Sequence, residues 1–344
     1  MITGTITLKN GTVIDMDDSK LVSNSLKVTM STCSASSFDI GTFNSGNMSI
    51  KIYDDEALEH EFDGAVIALN LSENEAETPL GVYLVDGTQT KRKKNVVTLY
   101  AVDYSVKFDE PMTDELRSSA YSAQAALTSV CSAVGVTLAT SDFSKFCNTY
   151  VTFTPASSSI QTLRDYVMWI AQLICGNAVI NRNGELEIRP AGYQQSDGNI
   201  VVDYQCTAEN RVSIQFSDVR TYIKYLSAYS EGAPKDYTSD LAVTDEQARA
   251  ACFNMLNNPL MDGVMAEACD TVNNNWLEQI DGFAQRQIKA VLYSKPSLKL
   301  GDTVRFSGGS IDVRRSIIGV ITGIEWKYHG YTTITCAAPQ AAKN

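Results

Sequence analysis

Histidine is nearly absent from this chain: His60 and His329 are the only two in 344 residues. A Ser-His-Asp or Cys-His set needs an imidazole held against a nucleophile and steadied by a third group. Neither position offers that setting, because His60 stands between Glu59 and Glu61 and His329 falls in a Tyr-His-Gly turn. Both read as surface side chains, and the expectation is a protein that is not an enzyme. The eight cysteines (33, 131, 147, 175, 206, 252, 269 and 336) form no CxxC pair and no zinc spacing. They read as free, mostly buried thiols of a reducing compartment. Gly-rich phosphate loops are missing too, and neither a metal nor a cofactor is expected.

Long hydrophobic runs are also lacking. The greasiest stretch, Tyr166–Ile180, is broken by Gln172, Gly176 and Asn177 and is too short to span a bilayer. The start MITGTITLKNGTV has neither a basic segment nor a continuous apolar one. No secretory leader is therefore expected, and the chain would be kept in the cytoplasm or in something assembled there. Charge is sparse as well: 20% of residues are charged, against ~25% in an ordinary globular protein. A surface rich in Ser, Thr, Asn and Tyr costs less to desolvate, which suits extensive subunit contacts. The 28 basic residues are outnumbered by 40 acidic ones, for a net charge of −12. Binding a phosphate backbone is excluded as the main task, since that needs clustered Lys and Arg. Nor do basic and aromatic residues interleave along the sequence as a nucleic-acid surface requires.

What is present is a succession of short strands. In Val96–Phe108, Val97, Leu99 and Ala101 alternate with Thr98, Tyr100 and Val102, the period of a half-buried strand. Turns at Asn10-Gly11, Ser45-Gly46-Asn47 and Asp86-Gly87 punctuate residues 1–112, which suggests a small barrel or sandwich. After Pro111 the period changes. Leu127, Val130, Cys131 and Val134 share a helical face that Gly135 closes. A second helix is predicted from a Ser158/Gln161 capping box, with Leu163, Val167, Ile170 and Ile174 as its stripe and Gly176 as its stop. Asn183-Gly184 between two apolar runs then predicts a type I′ hairpin.

Strand character returns at Ile200–Asp203 and Val212–Tyr229. A Thr244/Gln247 capping box predicts a helix that ends before Asn258-Pro259. A longer helix carries Met265, Ala268/Cys269, Val272, Trp276 and Ile280 on one face. Beyond it, Ile318, Val320, Thr322, Ile324, Trp326 and Tyr328 lie on one side of a long strand, and His329-Gly330 starts a hairpin. A chain of this length holds two or three cores of ~100–200 residues. The division read is 1–112 strands, 113–198 an α/β unit, 199–235 strands completing one of two barrels, 236–281 helical, and 282–344 strands.

Three charged segments stand out. Asp15, Asp17 and Asp18 begin like a calcium loop, but Lys20 and the missing Gly make a polar turn the better reading. Asp54, Asp55, Glu56, Glu59, Glu61 and Asp63 read as a solvated loop, with a channel lining or a cation site as the sharper alternatives. Lys91, Arg92, Lys93 and Lys94 form a basic knot between two strands. It is either an exposed hairpin tip or a subunit interface that meets an acidic surface.

The order of the phrases carries more than any one of them. FDIGTFNSGNMSIKIYDD is followed by PLGVYLV, by AVDY with an aromatic-Asp-Glu-Pro ending, and by AALTSVCSAVGV. TLRDYVMWIAQLICGNAVINRNGELEIRP, an NPL turn, KLGDTV and a closing strand pair complete the series. This succession resembles the hub protein of bacteriophage tails and phage-like injection machines. The resemblance implies a mainly β fold: two tail-tube-like β-barrels with an α/β insertion and a helical insertion, assembling as a trimeric ring. Such a hub closes the tail tube, matches a three-fold tip to a six-fold tube or baseplate ring, and surrounds a channel for DNA or a spike. Its implied partners are two further copies, tube or baseplate ring proteins, and a tip spike or fibre protein. DNA would pass without specific binding. Many relatives continue into a hydrolase after the hub, whereas this chain ends a few residues past its last strand, so no inherited hydrolase is expected. A cell-wall hydrolase subunit and a carbohydrate-binding adhesin are the alternatives.

Overall fold

The period-2 segments form one continuous ladder through most of the chain. The computed structural model describes residues 1–33, 39–54, 60–73, 76–155, 159–192, 195–196, 199–217, 221–230, 233–238, 249–255, 258–263, 266–280, 284–285, 287–309 and 317–337. A 14-stranded sheet runs from Arg211–Phe216 through Gln287–Leu292, Thr332–Ala337 and Ile317–Lys327 to Lys27–Ser31. It continues through Asn47–Tyr53, Val96–Asp103, Ala76–Val85, Val66–Glu73 and Ile2–Thr7 to Val13–Asp17. The N-terminal and C-terminal strand sets are thus joined by backbone hydrogen bonding. The joint is the antiparallel register from Gly323↔Ser31 to Lys327↔Lys27.

Each set still has its own core. Ile2, Ile6, Ile50, Ile52, Ile67, Val97 and Leu99 fill the first, and Ile288, Leu292, Val304, Phe306, Ile321 and Ile334 the second. The Ile317–Lys327 strand serves both: Ile321 and Ile324 enter the second core, while Trp326 and the following Tyr328 enter the first. A register shift between Ile321 and Gly323 redirects the side chains. Of the face expected from Ile318 to Tyr328, Val320, Thr322, Ile324, Trp326 and Tyr328 are buried and Ile318 is half-buried, while Ile321 on the other side of the shift is buried as well. Met30 packs against both cores.

The far end of the first set turns back on itself. After Val13–Asp17 the chain bends, and Lys20–Val22 lies against Asn47–Tyr53 through Tyr53 N–H to Lys20 O and Val22 N–H to Lys51 O. The aspartates of this bend are structural. Asp17 accepts from the Ser19 backbone and hydroxyl, and Asp18 accepts from Ile2 N–H and from the Tyr328 hydroxyl, each at 2.9 Å. The polar-turn reading holds for Asp17 and Asp18, whereas Asp15 lies within the Val13–Asp17 strand, and Asp18 ties the first strand to the end of Ile317–Lys327. Two glycines make the curvature possible. Gly4 (φ +142°) and Gly81 (φ +134°) flank Leu69 from either side, and a Cβ on Gly4 would stand 2.1 Å from Ala68 O.

The helices lie in a third core. Helix α1 is Asp114–Ser118, α2 Ala123–Val134, α3 Leu163–Leu173 and α4 Ala266–Ile280. Helix α2 ends at Gly135 in the left-handed conformation, as its sequence predicts. Helix α3 starts one turn later than predicted: Thr162 caps it, with a reciprocal bond from Asp165, and Ser158 lies outside the described residues. Cys175 (φ 57°), not Gly176, makes the reversal after it. Gly176 instead opens the Gly176–Ile180 strand, where a Cβ would meet Ile188 at 2.8 Å. The hairpin to Leu186–Pro190 is not type I′, because only Gly184 (φ 79°) has the positive φ that type I′ needs at both central residues.

Two further expectations change. Thr244, Gln247 and Met265 lie outside the described residues, but Arg249–Asn254, expected to be helical, is a strand parallel to Thr221–Ser230. Its exposed Cys252 and Asn254 alternate with half-buried Phe253 and buried Met255. Phe253 packs 4.7 Å from Trp276 of α4, so tertiary pairing overrides local helix preference. Residues 199–235 also divide. Tyr204–Cys206 and Arg211–Phe216 pair with the C-terminal strands, whereas Thr221–Ser230 and Ala233–Thr238 belong to a separate four-stranded sheet. That sheet, α2, α3 and α4 share one core around Tyr166, Ile170, Leu226 and Trp276.

Candidate interaction surface

The basic knot and the acidic run, distant in sequence, meet in the fold. Lys91–Lys93 is a short strand registered on Val96–Asp103, with Lys91↔Thr98, Arg92↔Val97 and Lys93↔Val96. Opposite residues of an antiparallel pair share a face. Val97 points into the first core and is fully buried, so Arg92 is turned inward and its two neighbours outward. Arg92 Nη2 reaches Asp54 Oδ2 at 2.6 Å and His60 O at 3.2 Å. His60 Nδ1 lies 2.6 Å from the other Asp54 oxygen. The Asp54 side chain, 6% exposed, is thus clamped between two basic groups.

This trio corrects two expectations. Asp54 does not belong to a solvated loop, and His60 is not a solvated side chain. Asp63 of the same run pairs with Lys9 at 2.7 Å and accepts from Gly87 N–H, while Glu61 is exposed. Asp55, Glu56 and Glu59 lie outside the described residues. His329 is exposed at a turn with φ 55°, its ring 3.9 Å from that of Tyr328. Among the described residues no group of three His, Cys, Asp or Glu side chains is placed to hold a metal ion.

With Arg92 engaged, the cations left facing outward come from several strands. The register runs Val22, Lys51, Thr98, Lys91 in one row and Lys20, Tyr53, Val96, Lys93 in the next. Tyr100, opposite Ser49, continues the same face. Tyr53 is 47% and Tyr100 36% exposed. Lys51, Lys91, Lys93 and Lys94 are exposed and carry no ion pair among the described residues. No carboxylate stands in either row. Linear reading finds no interleaving of basic and aromatic residues because Lys51 and Lys91 are 40 positions apart in sequence; only the intervening strand Val96–Asp103 brings them side by side.

A second feature lies where the three cores converge. The Asn181–Gly184 turn reaches between the other two strand sets, and Arg182 donates to Leu298 O at 2.5 Å and Pro79 O at 3.3 Å. Burial lowers the pKa of this guanidinium. Beside it is a cleft of about 250 Å³ floored by Met30, Val179 and Leu300, with Glu187, Arg189 and Lys299 at its polar side. Arg189 faces Glu187 at 3.0 Å without a well-directed hydrogen bond. Deeper in the first set, burial pushes the Asp103 carboxyl up to about 6, although Ser105 and Gly46 N–H groups donate to it.

No known family profile matches the sequence, and no curated protein matches it at the level of sequence. Solved structures do match its fold. A tail protein of prophage MuSo2 from Shewanella oneidensis superposes with a TM-score of 0.60 at 10% identity, covering 99% of this chain and 100% of the other. The tail protein from Neisseria meningitidis gives 0.58 at 8% identity, over 98% and 97% of the two chains. A prophage tail protein from Listeria monocytogenes gives 0.53 at 12% identity, over 98% and 95%. The chain therefore has the fold of phage tail proteins along nearly its whole length.

Proposed function

We propose that this protein is a structural component of a phage tail or tail-derived particle, and specifically its trimeric hub. The observation that carries the reading is the end-to-end match of fold to prophage tail proteins at TM-scores of 0.53–0.60. Two strand sets with separate cores, joined by one ladder, suit two tube-like barrels held in fixed relation. Three such chains would offer six barrels to a six-fold tube. The hub would close that tube, hold the tip, and surround the passage for DNA or a spike. Its place would be the virion tail, with ring and spike or fibre proteins as neighbours.

The work so described is mechanical. A carboxylate at His60 Nδ1 is also how a catalytic imidazole is steadied, so the preference for a non-enzymatic reading over a cell-wall hydrolase rests on the fold match to tail proteins. One observation favours an adhesin as second reading: Tyr293 and Tyr331 are 54% and 53% exposed with rings 6.4 Å apart, and aromatic pairs of this kind can receive a sugar face. Native mass spectrometry with a glycan-binding screen separates the two. A species near three times 37.6 kDa supports the hub, and a glycan-binding monomer supports the adhesin. Peptidoglycan release that is lost on changing His60 would overturn both.

A further inference from the structure

We propose that the lysine–tyrosine face of the first strand set docks a second copy of this chain head to tail, against the acidic segment Glu110–Glu115 of that copy. The inference rests on the hub reading and deepens it by naming the surfaces that close the ring.

The first observation is the face itself. Lys51, Lys91 and Lys93 stand around Tyr53, Val22 and Val96 in two rows that hold no carboxylate among the described residues, with half-buried Lys20 at the edge donating to Asp15 O at 2.6 Å. Exposed aromatic groups inside a charged border are the anatomy of a protein interface. The arrangement is selective, because the one arginine of the knot is withdrawn to Asp54 and only lysines remain outside. A polyanion such as DNA would be repelled by the rest of a chain of net charge −12. An acidic protein surface is the better complement, and another copy of this chain supplies one.

The second observation is where that complement lies. Glu110, Asp114 and Glu115 are exposed and carry no ion pair among the described residues, while the neighbouring Asp109 is held by Arg164 at 2.5 Å. The basic rows cross the beginning of the Val96–Asp103 strand, and the acidic segment follows its end after the turn Tyr104–Asp109. Seven strand steps separate Val96 from Asp103, roughly 23 Å at ~3.3 Å per residue. Among the described residues no ion pair joins the two charge surfaces within one chain. A contact that uses a different surface on each partner is heterologous, and repeats of it close into a ring when the rotation allows.

The test is a charge swap on the full chain, followed by native mass spectrometry and light scattering at low and high salt. Wild type is expected to form trimers that dissociate as salt rises, because exposed ion pairs are screened. The triple change Lys51→Glu, Lys91→Glu, Lys93→Glu should raise the dissociation constant at least tenfold. Glu110→Lys, Asp114→Lys, Glu115→Lys should do the same, and mixing the two triple variants should restore assembly between them. Circular dichroism confirms that each variant is folded; for one that is not, the single changes Lys51→Gln and Lys91→Gln replace it, with a weakened trimer again expected. A trimer unaffected by either set overturns the pairing and leaves the hub standing. A wild-type chain that stays monomeric at all concentrations also overturns it, and the hub is then judged in the assembled particle. Loss of DNA retention with the lysine variants, with oligomer state unchanged, would assign the face to nucleic acid and refute the inference.

Discussion

Replacing Arg92 with alanine separates the two roles that the fold gives to a single basic run. The Asp54 carboxylate, 6% exposed, would keep only His60 as a partner. Removing one member of a buried ion pair costs ~3–5 kcal/mol when the other charge is stranded. His60 remains at 2.6 Å and the Arg92 side chain is itself 29% exposed, which reduces the expected loss to about 2 kcal/mol. Lys91→Ala and Lys93→Ala remove exposed, unpaired cations from the same strand and should change stability by no more than about 0.5 kcal/mol. The assay is urea denaturation combined with hydrogen exchange on peptides covering 47–53 and 96–103. Adding Asp54→Asn should recover part of the loss, since the stranded charge goes with it. Equal effects for Arg92→Ala, Lys91→Ala and Lys93→Ala would refute the inward turn of Arg92 and the face built on it.

Other consequences are equally direct. Arg182→Met keeps the packing stem but deletes the bonds to Leu298 O and Pro79 O; it should cost about 2 kcal/mol and raise hydrogen exchange in 76–85 and around 298. Gly4→Ala puts a Cβ 2.1 Å from Ala68 O at a positive φ and should cost about 3 kcal/mol or more. Gly11→Ala, also at positive φ but with nothing within 4 Å, should cost only about 1 kcal/mol; equal thermal denaturation of the two would contradict the close approach. Asp103 has its folded pKa raised to about 6, so the folded state binds a proton that the unfolded state releases near pH 4. Its contribution to stability is therefore present below about pH 4 and lost as pH rises through 6, by roughly 3 kcal/mol. Asp103→Asn should remove that component, read as the difference between the two pH–stability curves; parallel curves would refute it.

Much of the strand architecture is legible in the chain because alternation is local: Val97, Leu99 and Ala101 announce their buried face without any neighbour. The end of α2 is legible for the same reason, since Gly135 alone can take the left-handed cap cheaply. What is not legible depends on partners distant in sequence. Arg249–Asn254 is a strand because Thr221–Ser230 lies beside it and Trp276 receives Phe253. The Ile317–Lys327 strand brings Ile321 and Ile324, three positions apart, into one core through a register shift that no alternation pattern announces. The interaction surface shows this most sharply. Lys91–Lys94 is visible as a basic knot, but the inward turn of Arg92 needs the register against Val97. The recruitment of Lys51, Tyr53 and Tyr100 needs the strand between them. The resemblance of ordered phrases to a tail hub agrees with the fold comparison, although identity to the matched structures is only 8–12%. The fold persists where residue identity does not.

The most direct test of the central claim is cryo-electron microscopy of the assembled tail particle with this chain tagged. The account predicts three copies in a ring at the distal end of the tail tube, with both strand sets of each copy facing the last six-fold ring. Density for this chain elsewhere in the particle, or as a peripheral monomer holding glycan, would contradict it.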